Sequence, residues 1–193
     1  MITMPIELYT DGSSLRNPGA SGLAYVIRYW DMPEGSDLPE PKIIEKNQGF
    51  RLSTNNRMEI MAGVWGLRAI IQNVENGTFA GLKQINLFSD SEYFVKAVNM
   101  KWIDKWMQNN WMTSGFQGSK PKDVKNKDLW EQLIETRNKL QSMGIALTMT
   151  HVFGHNGNEF NERADNLAVE ASKGTNHIID EMYEKLTDVM NRR

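Results

Sequence analysis

The spacing of apolar and polar positions changes several times along the chain, and each change marks an element. Ile6 to Thr10 is a short apolar run, and Leu23 to Trp30 and Ile43 to Leu52 are β-rich runs that suit a second and a third strand, joined antiparallel as a meander. Between the latter two, Asp31 to Pro41 holds three Pro and four acidic residues (Asp31, Glu34, Asp37, Glu40). That composition cannot form sheet interior, so a solvated hairpin extension is expected. From Asn56 to Asn73 the period becomes helical, with Met58, Met61, Trp65 and Ala69 recurring every three to four residues. Glu59 heads a neighbouring stripe of Ala62, Gly63 and Gly66, small residues that let this face approach a sheet closely.

Ile85 to Phe88 reads as a fourth strand, and Ser89-Asp90-Ser91-Glu92 opens the next helix with the pattern of a capping box. Trp102, Trp106 and Trp111 punctuate a helical segment that gives way to a loop rich in Gly, Pro and Lys. Leu129, Leu133 and Leu140 mark a further helix, and Ala146 to Val152 a fifth strand. After a loop at Gly154 to Asn158 the helical period returns, with Phe160, Ala164, Leu167, Ala168 and Ala171 inward and Asp165 beside that stripe. The tail from Asn176 to Arg193 carries Ile179, Met182, Leu186 and Val189 or Met190 on one helical face, which is expected to dock on its own domain.

Composition narrows the function. The 193 residues, 40% of them hydrophobic, suit one sizeable domain with appendages. A net charge of -2 excludes a generally polyanion-binding surface, so any nucleic-acid contact rests on local clusters of Lys and Arg. Without Cys there is no disulfide, thiolate zinc site or Cys nucleophile; a metal would be held by oxygen, and a reducing compartment fits. No secretory pattern opens the chain and no apolar run approaches the roughly 20 residues of a membrane span. A soluble, cytoplasmic protein is expected.

Each candidate for chemistry has a structural alternative when taken alone. Tyr9-Thr10-Asp11-Gly12-Ser13-Ser14 puts a carboxylate where a strand meets a turn, yet Asp-Gly is also a common turn pair. Asp90 reads equally as a cap or as a catalytic acid, and Asp165 as a surface residue of its helix. Lone Trp residues are usually packing and lone Lys clusters a solvated face. Interleaved as Trp102, Trp106 and Trp111 with Lys120, Lys122, Lys125 and Lys127, they suggest a nucleic-acid lobe.

Order decides between the alternatives. Tyr9-Thr10-Asp11-Gly12-Ser13, Arg16-Asn17-Pro18-Gly19, Thr54-Asn55-Asn56-Arg57-Met58-Glu59, Ser89-Asp90-Ser91, Val124-Lys125-Asn126, Asp128-Leu129-Trp130, and Gly154-His155 through Asn161-Glu162-Arg163 to Asp165 follow one another in the sequence. In that order they resemble ribonuclease H of type 1. The resemblance implies an α/β fold with a five-stranded mixed sheet flanked by helices. It divides the chain into a catalytic domain at 1–174, with a handle at about 100–127, and a C-terminal helical extension at 175–193. It further implies an endonuclease that cleaves the RNA strand of an RNA/DNA hybrid, leaving 5′-phosphate and 3′-hydroxyl ends, with Asp11, Glu59, Asp90 and Asp165 as its catalytic carboxylates and His155 as its mobile histidine. Four converging acids repel one another unless cations lie among them, which suits two Mg²⁺ ions with Mn²⁺ as a substitute. Asp11 and Asp90 are the expected shared ligands, Glu59 and Asp165 ligands of one ion each.

Thr54, Asn55 and Asn56 sit where a helix N-terminus can receive a phosphate or, as the structural alternative, cap the helix. Gly12, Ser13, Asn17, Asn55 and Glu59 are the expected readers of 2′-hydroxyls. Trp102, Trp106, Lys120, Lys122 and Lys125 are the expected handle contacts. A catalytically silent hybrid-binding module on the same fold would need no acid cluster beside phosphates, and a recombinase-type nuclease would lack both the Thr-Asn-Asn stretch and the handle. A monomer with no obligate protein partner is expected, the C-terminal helix being the one candidate dimer surface.

Overall fold

Alternation along the first strand sets the layers. In β1 (Ile6–Ser14), Ile6 and Leu8 are fully buried in one cluster of the core, whereas Tyr9 joins Val26 and Ala164 in a second. Successive residues thus serve opposite faces of a sheet. The structure, a computed structural model, describes residues 4–30, 40–113, 120–154 and 156–191.

The sheet has the order β5-β4-β1-β2-β3-β6, with β2 at Gly19–Trp30, β3 at Pro41–Ser53, β4 at Gln84–Ser89, β5 at Ala146–His151 and β6 at His177–Ile178. The meander β1-β2-β3 is antiparallel as expected, while β4 pairs parallel with β1, β5 with β4 and β6 with β3. The mixed sheet therefore has six strands rather than five. The sixth is two residues long, too short for any periodicity to show. The meander strands also outrun their apolar cores, because ladder pairing carries polar positions such as Asp11 and Ser13 along. Residues 31–39, where the acidic hairpin extension was expected, lie outside the described residues; the flanking strands pair out to Trp30 and Pro41.

Helix α1 (Asn55–Glu75) covers the Leu8 face, with α2 (Glu92–Asn99) and α4 (Lys127–Ser142) beside it. Its small face meets the sheet at Gly66, which lies over Leu8 and Tyr25, whereas Gly63 faces Phe94 of α2. A short α3 (Trp102–Gln108) follows α2, and α5 (Glu159–Lys173) covers the Tyr9 face across β1, β2 and β3. Ala164 and Ala168 are fully buried there, with Phe160 and Leu167 packed at the margin.

The tail docks on its own domain, but not through the face expected. Ile179, Met182 and Leu186 are about half exposed, and the side chains of Val189 and Met190 lie outside the described residues. Polar groups make the attachment instead. Arg57 of α1, 1% exposed, donates from Nε and Nη2 to Asp180 at 2.7 and 2.9 Å and from both Nη atoms to Asp128 of α4 at 2.8–2.9 Å. Asp180 also accepts from Ser53 Oγ at 2.7 Å and from the Tyr183 N–H that opens α6 (Glu181–Asn191). Apolar periodicity could not reveal this, since a buried charge is held by its partners and leaves no hydrophobic stripe.

Asp180→Ala should leave the buried Arg57 held by Asp128 alone, with Nε unpaired, and lower stability by up to about 3 kcal/mol, the low end for breaking one side of a buried pair. Arg51→Ala, which removes the more exposed pair with Glu184, should leave stability nearly unchanged. Urea denaturation monitored by Trp fluorescence measures both.

Candidate active site

Parallel pairing explains why two acids far apart in sequence meet. The β1–β4 register runs from Ile6 opposite Ile85 to Tyr9 opposite Phe88. Asp11 and Asp90 each lie two residues past that last pair, so they emerge side by side at the same end of the sheet. Glu59 arrives from above on α1, whose first turns come very close to β1. A Cβ built on Gly12 would stand 2.4 Å from the Glu59 nitrogen and 2.6 Å from the Met58 carbonyl carbon. No side chain fits at position 12, and that bareness is what admits Glu59.

One carboxylate oxygen from each of Asp11, Glu59 and Asp90 lies within 4.8 Å of the others. Asp11 and Glu59 are buried, Asp90 half-buried. Asp165 stands outside that tight group on α5, half-buried, but its charge is felt at Asp11. Burial first, then the charges of Asp90 and Asp165, push Asp11 up to about 8 from an ordinary 3.8, against the Gly12 N–H that favours its anion. Burial, followed by Asp11 and Asp90, likewise lifts Glu59 well above the carboxylate range, while the Gly12 N–H and the Asn55 amide pull it down.

Asn55 donates to Glu59 Oε1 at 3.3 Å, and Glu59 Oε2 is buried without any partner. A buried carboxylate oxygen left unpaired among other acids is a donor suited to a bound cation. These hard oxygen donors fit a divalent cation of the Mg²⁺ or Mn²⁺ kind.

The capping role open to Asp90 is not realised. Ser91 caps α2, accepting from the Phe94 N–H at 3.4 Å, and Ser89 Oγ accepts from the Ser91 N–H at 3.2 Å. The serines on either side take the local bonds, which leaves the Asp90 carboxylate to the cluster. Thr54 occupies the N-cap position of α1 in extended conformation with no side-chain cap bond, so the capping alternative fails there too. Asn17 accepts from the Asn55 N–H at 3.2 Å, which joins the β1–β2 loop to the helix start. Asn17 and Asn56 are exposed, and Ser13 and Thr54 half-buried beside them in sequence. Gly12 is buried, with its N–H turned to the acids. His155 lies outside the described residues.

The handle separates its two residue types. Trp106 packs against Trp130, which is fully buried, at 5.6 Å between ring centroids, and against Trp102 at 6.2 Å. Both Trp102 and Trp106 are half-buried members of an aromatic cluster on the core. Beyond α3 the chain forms a small antiparallel rung, with Thr113 N–H to Lys122 O at 2.8 Å and Val124 N–H to Trp111 O at 2.9 Å. Lys120, Lys122 and Lys125 are exposed on the arm leading into α4.

Sequence reasoning gave no role to Arg57, His151 or Phe153. His151 places Nε2 3.1 Å from the Asp90 carbonyl oxygen, and the exposed Phe153 follows two residues later. An Arg immediately before the buried run Met58 to Val64 was the one available signal; neither aromatic residue had one.

Fold and site define a class: an α/β protein with a mixed sheet whose central parallel strands deliver acids to one end, in the manner of ribonuclease H-like folds. Among solved structures the chain is similar to LC9-RNase H1, a type 1 RNase H with the type 2 active-site motif, at 26% identity and a TM-score of 0.64, covering 97% of this chain and 82% of that one. It is also similar to RNase H1 from the halophilic archaeon Halobacterium salinarum, at 25% identity and a TM-score of 0.51, covering 87% and 97%. Ribonuclease H of Lachnoclostridium phytofermentans is 35% identical over 94% of this chain and 100% of its own length, and that of Treponema denticola 37% identical over 87% and 97%. The sequence model of the RNase H family matches residues 4–173. The chain belongs to the RNase H family.

Asp11 supplies a test of the electrostatics. Its folded value lies above its unfolded one, so the protonated site is the stable one. Stability in EDTA is fully present below about pH 4 for this group and declines as the pH rises towards 8. Asp11→Asn should raise the melting temperature at pH 8 and flatten this decline, and added Mg²⁺ should stabilise the native protein more at pH 8 than at pH 5. Calorimetric melting across pH 5 to 8, with and without the cation, reads all three.

Proposed function

We propose that this RNase H enzyme hydrolyses the RNA strand of RNA/DNA hybrids at the Asp11–Glu59–Asp90 cluster, with two divalent cations in the presence of substrate, leaving 5′-phosphate and 3′-hydroxyl ends. The observation that carries the reading is the gathering of three carboxylates within 4.8 Å, with Glu59 Oε2 buried and unpaired, in a chain of this family. Ribonuclease H relatives matched along their whole length support the activity, and no described helix is long and apolar enough to cross a membrane. The proposed division puts catalysis in 1–174 and a helical extension in 175–193, and the protein acts as a monomer in the cytoplasm.

When bound, Mg²⁺ (or Mn²⁺ in its place) supplies Lewis-acid stabilisation of the phosphoryl oxygens and a water acidic enough to attack near neutral pH. Asp11 and Asp90, adjacent at the strand ends, would be the ligands common to both cations, and Glu59 and Asp165, carried on helices at opposite faces of the sheet, would each serve one. The start of α1 at Thr54, Asn55 and Asn56 has no side-chain cap and can offer a phosphate backbone N–H groups other than that of Asn55, which Asn17 holds, while Asn17, Ser13, Gly12 and Asn55 face the 2′-hydroxyls that tell RNA from DNA. His155 is assigned the proton transfer, on its chemistry alone. The Trp102–Trp106 cluster props up the handle, and Lys120, Lys122 and Lys125 meet the backbone of the DNA strand.

Asp90→Asn should abolish cleavage of labelled hybrid in Mg²⁺ while hybrid binding persists. Retained activity within about tenfold, a barrier change of about 1.4 kcal/mol, would count against the cluster. The handle has its own signature. From Lys96 to Lys127 seven Lys stand against two Asp, whereas Met107 to Asn110 is neutral. Replacing Lys120, Lys122 and Lys125 together with Ala should weaken hybrid binding and flatten the plot of log K against log salt by about two to three units, with kcat nearly unchanged. An unaltered slope removes the handle from the interface.

A further inference from the structure

Phe153 is the most exposed of the large apolar side chains described, at 72%, and the only aromatic residue among those left substantially open; Met100 follows at 55%. A scattered surface apolar residue needs no explanation by itself. Position distinguishes this one. The loop after β5 is fastened to the acid-bearing end of β4 on both sides of Phe153. Before it, the Val152 N–H donates to Ser89 O at 3.1 Å, and His151 Nε2 meets the Asp90 carbonyl oxygen at 3.1 Å. After it, Gly154 presses on the Asp90 carboxylate so closely that a Cβ there would stand 2.9 Å from Oδ2. The Phe153 ring stands edge-on to His151, centroids 5.5 Å apart at 78°. An open aromatic ring is therefore held at the rim of the acid cluster, by one hydrogen bond to Asp90, one to the neighbouring Ser89 and the close approach of Gly154 to the Asp90 carboxylate.

That rim sets a chemical requirement. A nucleic-acid strand brought to the acids meets negative charge in the floor, which repels its phosphates wherever a cation does not intervene. A neutral ring beside the acids gives the strand a surface it can rest on without that repulsion. Its face suits the C–H groups of a sugar or the π-face of a base, and neither demands a particular sequence. In a hybrid of A-like form the sugars line the open minor groove, where a protruding side chain can reach them.

Resting on the hybrid-cleavage reading above, we infer that Phe153 is a substrate contact whose ring packs against a sugar of the strand that crosses the acid cluster, beside the scissile phosphate. Phe153 is a positioning residue in this account. It touches substrate but takes part in no bond change.

Steady-state cleavage of labelled hybrid by wild type, Phe153→Leu and Phe153→Ala, with melting temperatures of all three, tests the assignment. Phe153→Ala should raise KM about tenfold, keep kcat within about twofold and leave the melting temperature unchanged or higher; Phe153→Leu should fall between. Photo-crosslinking from benzoylphenylalanine placed at 153, with hybrid in EDTA, should label the nucleic acid. Unchanged KM without crosslinking overturns the contact while leaving hybrid cleavage intact. A fall in melting temperature that tracks the KM change marks a structural residue and also overturns it. Failure of wild type to bind or cleave hybrid overturns both readings, so the two failures are distinguishable.

Discussion

Two charges two residues apart on one helix are buried under opposite conditions, and the architecture follows from the difference. Arg57 is enclosed with its donors matched to the carboxylates of Asp128 and Asp180. Burial opposes its charge, but those hydrogen bonds outweigh the opposition and hold its pKa above the ordinary value. Glu59 is enclosed among other acids with one oxygen unpaired. The first arrangement is complete and holds three segments together: α1, α4 and the start of the tail. The second is incomplete by a positive charge. A protein can keep such a deficit only where the surrounding frame does not depend on filling it, and the Arg57 network is that frame.

Delivery of the acids depends on the sheet. Parallel pairing of β1 with β4 aligns Asp11 with Asp90, because equal steps past one register pair end at the same edge. The two other carboxylates come from helices on opposite faces, Glu59 on α1 and Asp165 on α5. Their approach has a steric condition at each contact with the strand ends. Gly12 lets α1 settle on β1, and Gly154 lets the β5 loop settle on Asp90. A methyl group at position 12 would meet backbone and push β1 and α1 apart, whereas one at position 154 would meet the tip of the Asp90 side chain and shift that carboxylate.

The order of elements and the acids were legible in the chain because both leave local marks: apolar runs for β1 to β5, a 3.6-residue stripe for α1 and α5, and short motifs around Asp11, Glu59 and Asp90. What escaped was decided by partners distant in sequence. β6 consists of two residues whose pairing with Gly49 and Phe50 no periodicity encodes. The tail showed an apolar face at Ile179, Met182 and Leu186, yet it is bound through Asp180, a residue with no mark of its own. Around Asp90 the tetrad pattern pointed to a cap at the right place but on the wrong residue, since Ser91 and Ser89 compete for the same N–H groups with shorter, neutral side chains. The handle shows the same limit. Its Trp residues are half-buried packing and its Lys residues exposed, a division that spacing alone could not make.

The position of Asp180 gives the tail a meaning beyond attachment. Its carboxylate accepts from Ser53 Oγ and from Arg57 Nε, the residues on either side of Thr54, Asn55 and Asn56. Ser53 ends β3 and Arg57 lies in the first turn of α1, so one side chain grips both ends of the strand-to-helix junction. The junction itself has no side-chain cap, and its Asn55 reaches both Asn17 and Glu59. A helix start without a cap frays unless something else restrains it. Here the restraint comes from outside the junction: the Asn55 N–H and amide are held by Asn17 and Glu59, and no side chain of the junction caps the helix. A local capping side chain would have stabilised the same turn from within. The distant carboxylate of the tail stabilises it from outside, through the residues that flank the junction.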